Sequence, residues 1–376
     1  MKIISFFLIL WLPFLLKGQQ TINGTITHGG LQREYILYVP ASYEPGTPAP
    51  LVLNFHGYSS NAFEQMFYGD FRPIADTAGF IIVHPLGTLD PFGNHQWNVG
   101  WGITDVDDVG FTSALIDSLS VQYDINQDRI YSTGMSNGGF LSYKLACELS
   151  NRIAAIASVT GSMNVNQSTT CNAQHPMPVM EIHGTADETV PYAGNIVFTP
   201  IGDVVAYWVD FNNCNATPLV NQIPDTDVTD GCTAEHQLFA NGTNGVEVEH
   251  FKIINGVHAW PGSAFGGVGT NQDIDASKEI WRFFSKYDIH GLIHSTSTED
   301  HAKRNSVLVY PNPVCTSITI ESDSDNAIDY SLSTMMGQTI ISGTVDSHSY
   351  RLDLDGIPSG MYILNVGKEM FKLVKQ

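Results

Sequence analysis

Short apolar runs alternate with helix-like stretches between residues 49 and 287, and this alternation constrains the fold more than any other feature. The apolar runs are 51–55, 80–83, 129–132, 156–159, 179–182 and 246–254, and the helix-like stretches include 108–123, 137–149 and 275–287. Strands that are apolar throughout are typical of parallel sheets covered by helices on both faces. The pattern therefore predicts an α/β fold with a mostly parallel central sheet. Two strand-like runs at 22–26 and 35–39, joined through Gly29-Gly30, predict an antiparallel pair before it.

A different pattern fills the C-terminal part of the chain. Six short strand-like runs lie at 307–310, 317–320, 329–333, 339–341, 350–354 and 362–366, separated by turn residues. This pattern predicts a small all-β sandwich at 305–376. The polar segment 289–304 is the predicted linker, which leaves 19–288 for the α/β domain.

Residues 1–18 have the features of a signal peptide. Lys2 precedes an apolar run from 3 to 16, which is interrupted only by Ser5 and Pro13. A run of this length is too short to span a bilayer and typical of a signal-peptide core. We therefore expect export, with cleavage near Gly18, and an uncleaved anchor is the alternative. No later run approaches about 18 apolar residues, so no stable membrane span is predicted.

Charge excludes some partners. Lys and Arg number 17 against 38 Asp and Glu, a net charge of −21, which would repel nucleic acid and anionic membranes. Charge does not identify a substrate.

Export also makes disulfides possible among the five cysteines. Cys214 and Cys232 flank a short polar segment and form the favoured pair, with Cys147 and Cys171 as a second pair and Cys315 left over. The alternative is that all five are free, because sequence alone does not define connectivity.

The sequence G-M-S-N-G at 134–138 carries the strongest chemical signal. It follows the apolar run 129–132 and precedes a helix-like stretch, which is the strand–turn–helix context of a nucleophile elbow. The sharp turn requires small residues two positions before and after the serine. Ser136 would then stand at the positive end of the following helix, which favours anionic intermediates. Ser136 is the predicted nucleophile.

A serine nucleophile needs an acid and a base, which follow it in that order on this type of fold. Asp187 comes just after the run 179–182, where ligands collect at the carboxyl ends of parallel strands, with Glu188 as its competitor. His258 lies in a Gly- and Pro-flanked loop after the run 246–254 and is the predicted base. His236 and His250 are the less favoured alternatives, and the remaining downstream histidines fall in the linker or the sandwich.

Two loops are expected to complete the site. The loop after 51–55 begins with His56-Gly57, and the N–H groups of Tyr58 and Asn137 are predicted to form an oxyanion hole, with His56 bracing the turn. Trp97, Trp101 and Trp260 are candidates for stacking against a substrate, although loop packing and helix capping near Asp108 explain the 94–108 segment equally well. No Cys/His metal pattern, EF-hand spacing or phosphate-binding loop is present, so neither a metal nor another cofactor is predicted.

Several of these segments together resemble a known family. The matching segments are His56-Gly57, 107–111, 129–139, 183–187, 190–192 and 258–262. They resemble the secreted polyhydroxybutyrate depolymerase / feruloyl and acetyl-xylan esterase family, an α/β-hydrolase family, over roughly residues 30–287. The resemblance implies that Ser136, Asp187 and His258 form the catalytic triad.

The C-terminal part resembles the type A sorting domain of the type IX secretion system. The resemblance rests on V-Y-P-N-P at 309–313, M-G-Q at 336–338 and I-P-S-G-M-Y at 357–362, although L-S-T-M at 332–335 departs from the usual pattern. It implies that the secretion machinery is a partner and that the protein is secreted, outside the cell or on its surface.

The expected activity is that of a secreted serine esterase without a cofactor. Feruloyl or acetyl esters of plant polysaccharide are the favoured substrates, and poly(3-hydroxybutyrate) or its oligomers are the alternative. A peptidase on the same fold is disfavoured, because the chain lacks a large N-terminal gating domain. A non-catalytic polysaccharide-binding module on this fold is the alternative of another class, and it would not need all three triad candidates.

Overall fold

The protein is described here by a computed structural model that divides into two units, one ending at His294 and one beginning at Ser295. The described residues are 18–293 and, in the second unit, 307–310, 314, 316–322, 327–334, 338–345, 349–367 and 369–375. The predicted signal peptide up to residue 17, residues 294–304 of the predicted linker, and Cys315 lie outside the described residues.

The first unit alternates strands and helices. Its strands are β1 (Gln20–His28), β2 (Leu31–Val39), β3 (Ala49–Phe55), β4 (Ile81–Pro85), β5 (Thr88–Leu89), β6 (His95–Gln96), β7 (Ile125–Met135), β8 (Ala155–Val159), β9 (Val179–Gly184), β10 (Leu219–Gln222), β11 (Thr233–Phe239), β12 (Val248–Ile254), β13 (Tyr287–Asp288) and β14 (Gly291–Leu292). Its helices are α1 (Ala62–Tyr68), α2 (Arg72–Ala78), α3 (Asp108–Gln122), α4 (Asn137–Glu148), α5 (Gln167–Thr170), α6 (Ile201–Phe211) and α7 (Ala276–Phe284), with a 3-10 turn at Thr243–Gly245.

Ten of these strands form one sheet, in the order β1-β2-β4-β3-β7-β8-β9-β12-β11-β10. The six strands from β4 to β12 run parallel, and the two strands at each edge are antiparallel. The predicted mostly parallel sheet is therefore confirmed, as is the N-terminal pair, whose turn holds Gly29 and Gly30 at positive φ. The edge strands β10 and β11 are not predicted from the sequence, because their residues are mostly partly buried or exposed.

Alternate residues of the central strands enter cores on opposite faces of the sheet. Leu51, Leu53 and Phe55 of β3 pack in one core, whereas Val52 packs in the other. All residues of β3 and β9 are buried, which explains why these strands are largely apolar without a polar alternation.

The α/β unit continues past its predicted end at residue 288. The hairpin of β13 and β14 extends it into the segment assigned to the linker, and Ile289 N–H donates to the carbonyl of Asp128.

The second unit consists of two antiparallel sheets. Its strands are β15 (Val307–Tyr310), β16 (Ser317–Ser322), β17 (Ile328–Thr334), β18 (Thr339–Val345), β19 (Ser349–Asp353), β20 (Gly360–Val366) and β21 (Glu369–Lys375). The sheet orders are β15-β16-β19 and β18-β17-β20-β21. Residues of both sheets, such as Ile320 and Leu364, share one core, which is the predicted all-β sandwich. The strand β21 lies beyond the last predicted run.

The disulfide connectivity corrects the favoured pair. Cys147 of α4 is bonded to Cys171, whereas Cys214 and Cys232 are both free thiols. Asn215 N–H donates to the carbonyl of Ala240, so Cys214 lies near the end of β11, while Cys232 immediately precedes its start. Seven strand residues span about 23 Å, far more than a disulfide can bridge.

Within the described residues, no helix combines the length and apolar character that a membrane crossing requires.

Candidate active site

The predicted nucleophile lies in a strained turn between β7 and α4. Ser136 has φ 53° and ψ −119°, a backbone conformation that is costly for a residue other than glycine. Its N–H donates to the carbonyl of Val159 in the neighbouring strand, which holds the turn. A Cβ atom at Gly134 or Gly138 would approach the carbonyl oxygen of Phe55 to 2.5 and 2.2 Å, respectively. The glycines two positions on either side of the serine are therefore required by the close approach of β3.

The loop that follows β3 runs directly beside the nucleophile. A Cβ atom on Gly57 would lie 3.4 Å from the Cβ atom of Ser136. Within residues 18–293, neither the N–H of Tyr58 nor that of Asn137 donates a hydrogen bond to a protein acceptor. Two peptide donors next to the serine thus remain available to a ligand.

His56 braces this loop from below. It is fully buried, its Nδ1 donates to the carbonyl of Gly57 at 2.7 Å, and its Nε2 accepts from the N–H of Gly87 at 2.9 Å. One ring nitrogen donates and the other accepts, so the ring is neutral. Burial lowers the pKa of His56 to about 4, in agreement with a structural role.

Trp97 is part of the same brace and not a substrate-stacking residue. Its side chain is fully buried, and the indole N–H donates to the carbonyl of His56 at 2.9 Å. Its backbone binds the side-chain amide of Asn137 twice, through N–H to Oδ1 at 2.7 Å and through Nδ2 to the carbonyl at 3.2 Å. The prediction that Trp97 stacks against substrate is wrong, because no face of the ring reaches the surface.

The predicted acid and base are hydrogen bonded to each other. Asp187 follows β9 and His258 follows β12, the next strand of the sheet, and Nδ1 of His258 lies 2.7 Å from Oδ2 of Asp187. Oδ1 of Asp187 accepts the N–H groups of Thr189 and Val190 at 2.8 and 2.9 Å. Ser136 follows β7 in the same parallel set, so all three residues lie at the carboxyl edge of the sheet.

The electrostatics of Asp187 favour its ionised form. Burial by itself would raise the pKa of this carboxyl group, but hydrogen bonds from His183, His258 and the N–H of Val190 hold the pKa well below its usual range. Asp187 is thus a carboxylate, and it accepts a hydrogen bond from Nδ1 of His258.

The alternative candidates for the acid and the base do not form such a pair. Glu188 is exposed to solvent, and His236 lies 2.8 Å from the carboxylate of Glu249. His250 is buried within β12, where its Nε2 accepts from the hydroxyl of Tyr192 at 2.9 Å. Of these histidines, only His258 contacts the predicted acid.

The two other tryptophans differ in exposure. Trp260 is only 3% exposed, its indole N–H donates to Ser277, and its ring packs beside Tyr68 and Phe71. It supports the His258 loop, and its burial corrects the prediction of a stacking role. Trp101 is partly buried and remains the candidate for a substrate contact.

The acidic residues at the start of α3 are structural. Asp107 caps the helix by accepting the N–H of Gly110, and Asp108 pairs with the buried guanidinium of Arg33 at 2.6 Å. In the part of the chain that the structure describes, no group of three or more His, Cys, Asp or Glu residues has the arrangement of a metal site.

A buried histidine–glutamate pair behind Asp187 is not predicted from the sequence. His183 and Glu181 lie two positions apart on the same face of β9, and neither side chain is exposed. Nδ1 of His183 lies 2.9 Å from Oε1 of Glu181. Two ionisable residues within a strand that is otherwise apolar were the signal that could have revealed it.

Comparisons with known proteins agree with this architecture. A family model described as "Phospholipase/Carboxylesterase" matches residues 108–205, and one described as "Secretion system C-terminal sorting domain" matches residues 308–376. Among solved structures, an acetyl xylan esterase from Aspergillus awamori aligns with 71% of this chain and 99% of its own, at a TM-score of 0.51 and 13% identity. A feruloyl esterase module from Clostridium thermocellum aligns with 76% and 92%, at a TM-score of 0.50 and 12% identity.

Curated relatives carry esterase names. A bifunctional acetylxylan esterase/xylanase of Neocallimastix patriciarum is 26% identical over 74% of this chain and 36% of its own length. Feruloyl esterase B of Piromyces equi is 28% identical over 60% of this chain and 42% of its own length. The chain therefore spans less than half the length of these two relatives.

The first unit has the α/β-hydrolase fold. It is similar in sequence to feruloyl and acetylxylan esterases, and residues 308–376 match a secretion-system sorting domain. The sorting domain identifies it as a secreted protein.

Proposed function

We propose that the protein is a secreted serine hydrolase of carboxylic esters. The observation that carries the proposal is the 2.7 Å hydrogen bond between His258 and Asp187, at the sheet edge where the strained Ser136 also lies. A serine, a buried carboxylate and a histidine that follow three strands of one parallel set are an arrangement that can activate a hydroxyl for acyl transfer.

The proposed reaction has two steps, acylation of Ser136 and hydrolysis of the acyl-enzyme. Oγ of Ser136 attacks the ester carbonyl carbon while Nε2 of His258 accepts the hydroxyl proton, and Asp187 stabilises the imidazolium that forms. The tetrahedral intermediate then collapses, and the alcohol leaves with the proton from His258. Water, deprotonated by the same nitrogen, attacks the acyl-enzyme and releases the acid together with free Ser136.

Two peptide N–H groups stabilise the negative charge in each tetrahedral intermediate. The donors are those of Tyr58 and Asn137, which have no protein acceptor within residues 18–293. Donors aimed at a developing oxyanion stabilise the transition state more than the ground state, and losing one of them typically costs about 10²–10³-fold in kcat.

The proposed substrates are feruloyl or acetyl esters of plant polysaccharide. This choice is supported by relatives named acetylxylan and feruloyl esterases, and by the match of residues 308–376 to a secretion-system sorting domain, because plant polysaccharide lies outside the cell.

An ester panel with a matched serine variant tests both levels of the proposal. The wild-type protein is assayed with methyl ferulate, acetylated xylan and 3-hydroxybutyrate oligomers, and their kcat/KM values are compared. The ferulate or acetyl ester is expected to have the highest value. Ser136→Ala is expected to lower kcat by more than about 10³-fold. Ser118→Ala on α3 removes a hydroxyl away from the site and serves as the control, with unchanged kcat.

The panel also separates the alternatives. A preference for hydroxybutyrate oligomers would contradict the proposed substrate class but not the mechanism. Absence of turnover on all three esters, together with no labelling of Ser136 by a fluorophosphonate, would contradict the enzyme proposal and favour a binding module on this fold.

A further inference from the structure

His183 lies directly behind the proposed catalytic acid and has three polar neighbours. Its Nδ1 is 2.9 Å from Oε1 of Glu181, and its Nε2 is 2.8 Å from the carbonyl oxygen of Val190. The same Nε2 is 3.4 Å from Oδ2 of Asp187, the oxygen that binds His258. The ring has no exposed surface, so protein groups alone satisfy it.

The neighbours favour a proton on each ring nitrogen, although burial raises the pKa of Glu181 and so acts against the carboxylate that Nδ1 needs as its acceptor. A carbonyl oxygen can only accept, so Nε2 donates to Val190. The second oxygen of Glu181 already accepts the hydroxyl of Tyr143 at 2.7 Å, which suits an ionised carboxylate that also accepts from Nδ1. A histidine that donates from both nitrogens is an imidazolium.

His250 provides the contrast within the same cluster. Its Nδ1 donates to the carbonyl of Glu181 at 3.0 Å, while its Nε2 accepts from the hydroxyl of Tyr192 at 2.9 Å. One donor and one acceptor make this ring neutral. Burial lowers the pKa of His250 to about 4. Burial acts against the charged form of His183 as well, but its hydrogen bonds to the carboxylates of Asp187 and Glu181 and the charge of Glu181 raise its pKa to about 9.

We propose that His183 is a positioning residue, protonated near neutral pH, that ties the loop carrying Asp187 to the central sheet. The loop is held twice at Val190, whose N–H donates to Asp187 while its carbonyl accepts from His183. Glu181 anchors the imidazolium to β9 and balances its charge. The kinetic part of this inference rests on the proposed function, whereas the protonation state does not.

The charge around His183 favours the protonated ring. The titratable groups that contact His183 are Glu181, Asp187 and Tyr192, with Lys252 opposite it in the register of β12 and His250 nearby. Tyr143 of α4 and His258 contact its partners Glu181 and Asp187. These two partners are buried carboxylates, and without a cation between them their mutual repulsion would raise the energy of the native state.

Nitrogen-15 NMR of the full-length protein, labelled at histidine, tests the protonation state directly. Near neutral pH, both ring nitrogens of His183 are expected to have chemical shifts of the protonated type, whereas His250 is expected to have one protonated and one bare nitrogen. His183→Gln and His250→Gln assign the signals. A bare nitrogen on His183 near neutral pH would overturn the proposal, and this result is independent of any esterase activity.

Kinetics test the positioning role. His183→Gln is expected to lower kcat about 10²-fold with little change in KM, because the loop carrying Asp187 loses its cationic tie. Glu181→Gln, which keeps the ring but removes its counter-charge, is expected to lower the pH at which activity declines. A folded His183→Gln protein with wild-type kcat would contradict the positioning role even if its NMR assignment held.

The pH dependence has a defined sign. The pKa of His183 is raised above its ordinary value of 6.5, so its contribution is complete below that pH and is lost as the pH rises through about 9. In the wild-type protein, kcat is therefore expected to decline above about pH 9, and this decline is expected to be absent from the residual activity of His183→Gln.

Discussion

Asn137 combines two tasks in one residue. Its backbone N–H is a proposed oxyanion donor, while its side-chain amide is bound at both ends by the backbone of Trp97. The first turn of α4 is therefore fixed by the loop before α3. The indole N–H of Trp97 also binds this loop to the carbonyl of His56, in the loop after β3 that carries Tyr58. The geometry of both proposed donors depends on one buried amide.

Replacing that amide should affect stability and catalysis together. Asn137→Ala leaves the buried N–H and carbonyl of Trp97 without partners, and we expect the free energy of unfolding to fall by about 2 kcal/mol or more. The kcat for ester hydrolysis should fall as well, because the N–H of the elbow is no longer held in place. Urea unfolding and steady-state kinetics measure the two effects.

Asn195 is the matched control for this substitution. Its side chain also makes two hydrogen bonds to the backbone, with the N–H groups of Val197 and Phe198, but the residue is exposed. Asn195→Ala should cost less than about 1 kcal/mol and leave kcat unchanged, because water can replace the lost bonds. Equal effects of the two substitutions would show that burial of the amide is not what matters.

The residue scale also shows what local sequence patterns can locate. A G-x-S-x-G turn between strand and helix, and an Asp and a His after later strands, lead to the residues that the structure brings to one sheet edge. Trp97 could not be assigned in this way. Whether an aromatic ring on a loop faces solvent or the core depends on neighbours from distant parts of the chain.

At the scale of elements, a buried ion pair joins the N-terminal hairpin to α3. Arg33 of β2 and Asp108 of α3 have side chains 1% and 0% exposed, and the guanidinium lies 3.8 Å from the ring centre of Phe111. The second oxygen of Asp108 accepts the N–H of Asn98 at 2.6 Å. The pair therefore connects the hairpin, the helix and the loop that holds Asn137.

Removing only one member of this pair should lower the stability of the protein strongly. Arg33→Leu leaves the carboxylate of Asp108 buried without its cation, and we expect a loss of about 3–5 kcal/mol in the free energy of unfolding. Arg72→Leu is the comparison, because Arg72 pairs with Asp70 and the two side chains are 24% and 32% exposed, respectively. This pair should contribute at most about 1 kcal/mol to the free energy of unfolding. Chemical denaturation of both variants distinguishes them, and similar losses would contradict the assignment.

The disulfide illustrates the limits of spacing as a guide to elements. Cys214 and Cys232 flank a polar segment and so resemble the ends of a stapled loop. In the fold this segment includes β10, and the length of β11 separates the two thiols. Connectivity depends on where strands start and end, which the spacing of cysteines does not reveal.

At the scale of the whole molecule, each of the two units has its own hydrophobic core. The cores of the α/β unit are formed by residues between 22 and 292, and that of the sandwich by residues between 307 and 373. The proposed catalytic residues all belong to the first unit. We therefore propose that the α/β unit works alone and that the sandwich serves export.

A truncated protein tests this division. Residues 18–293 are expected to fold and to hydrolyse the preferred ester with the kcat/KM of the full-length protein. The urea midpoint at which activity is lost should be the same in both proteins, since no core residue is removed. A truncated protein that is inactive or unfolds at clearly lower urea would contradict independent folding of the α/β unit.

The sequence by itself determined the features that local patterns encode. Apolar runs alternating with helix-like stretches predict the parallel sheet, the G-x-S-x-G turn identifies Ser136, and the C-terminal motifs identify the sorting domain. Local conformational preference and alternate burial are properties of neighbouring residues, so they can be read along the chain.

Only the tertiary structure decided which side chains meet across the chain. The burial of Trp97, the bond between Cys147 and Cys171, and the two carboxylates around His183 all depend on strand order and on helices packing against the sheet. These contacts join residues from separate elements, or they depend on how deeply one strand is buried. The physical reason is that burial and electrostatic pairing are properties of the packed molecule, and no short stretch of sequence carries them.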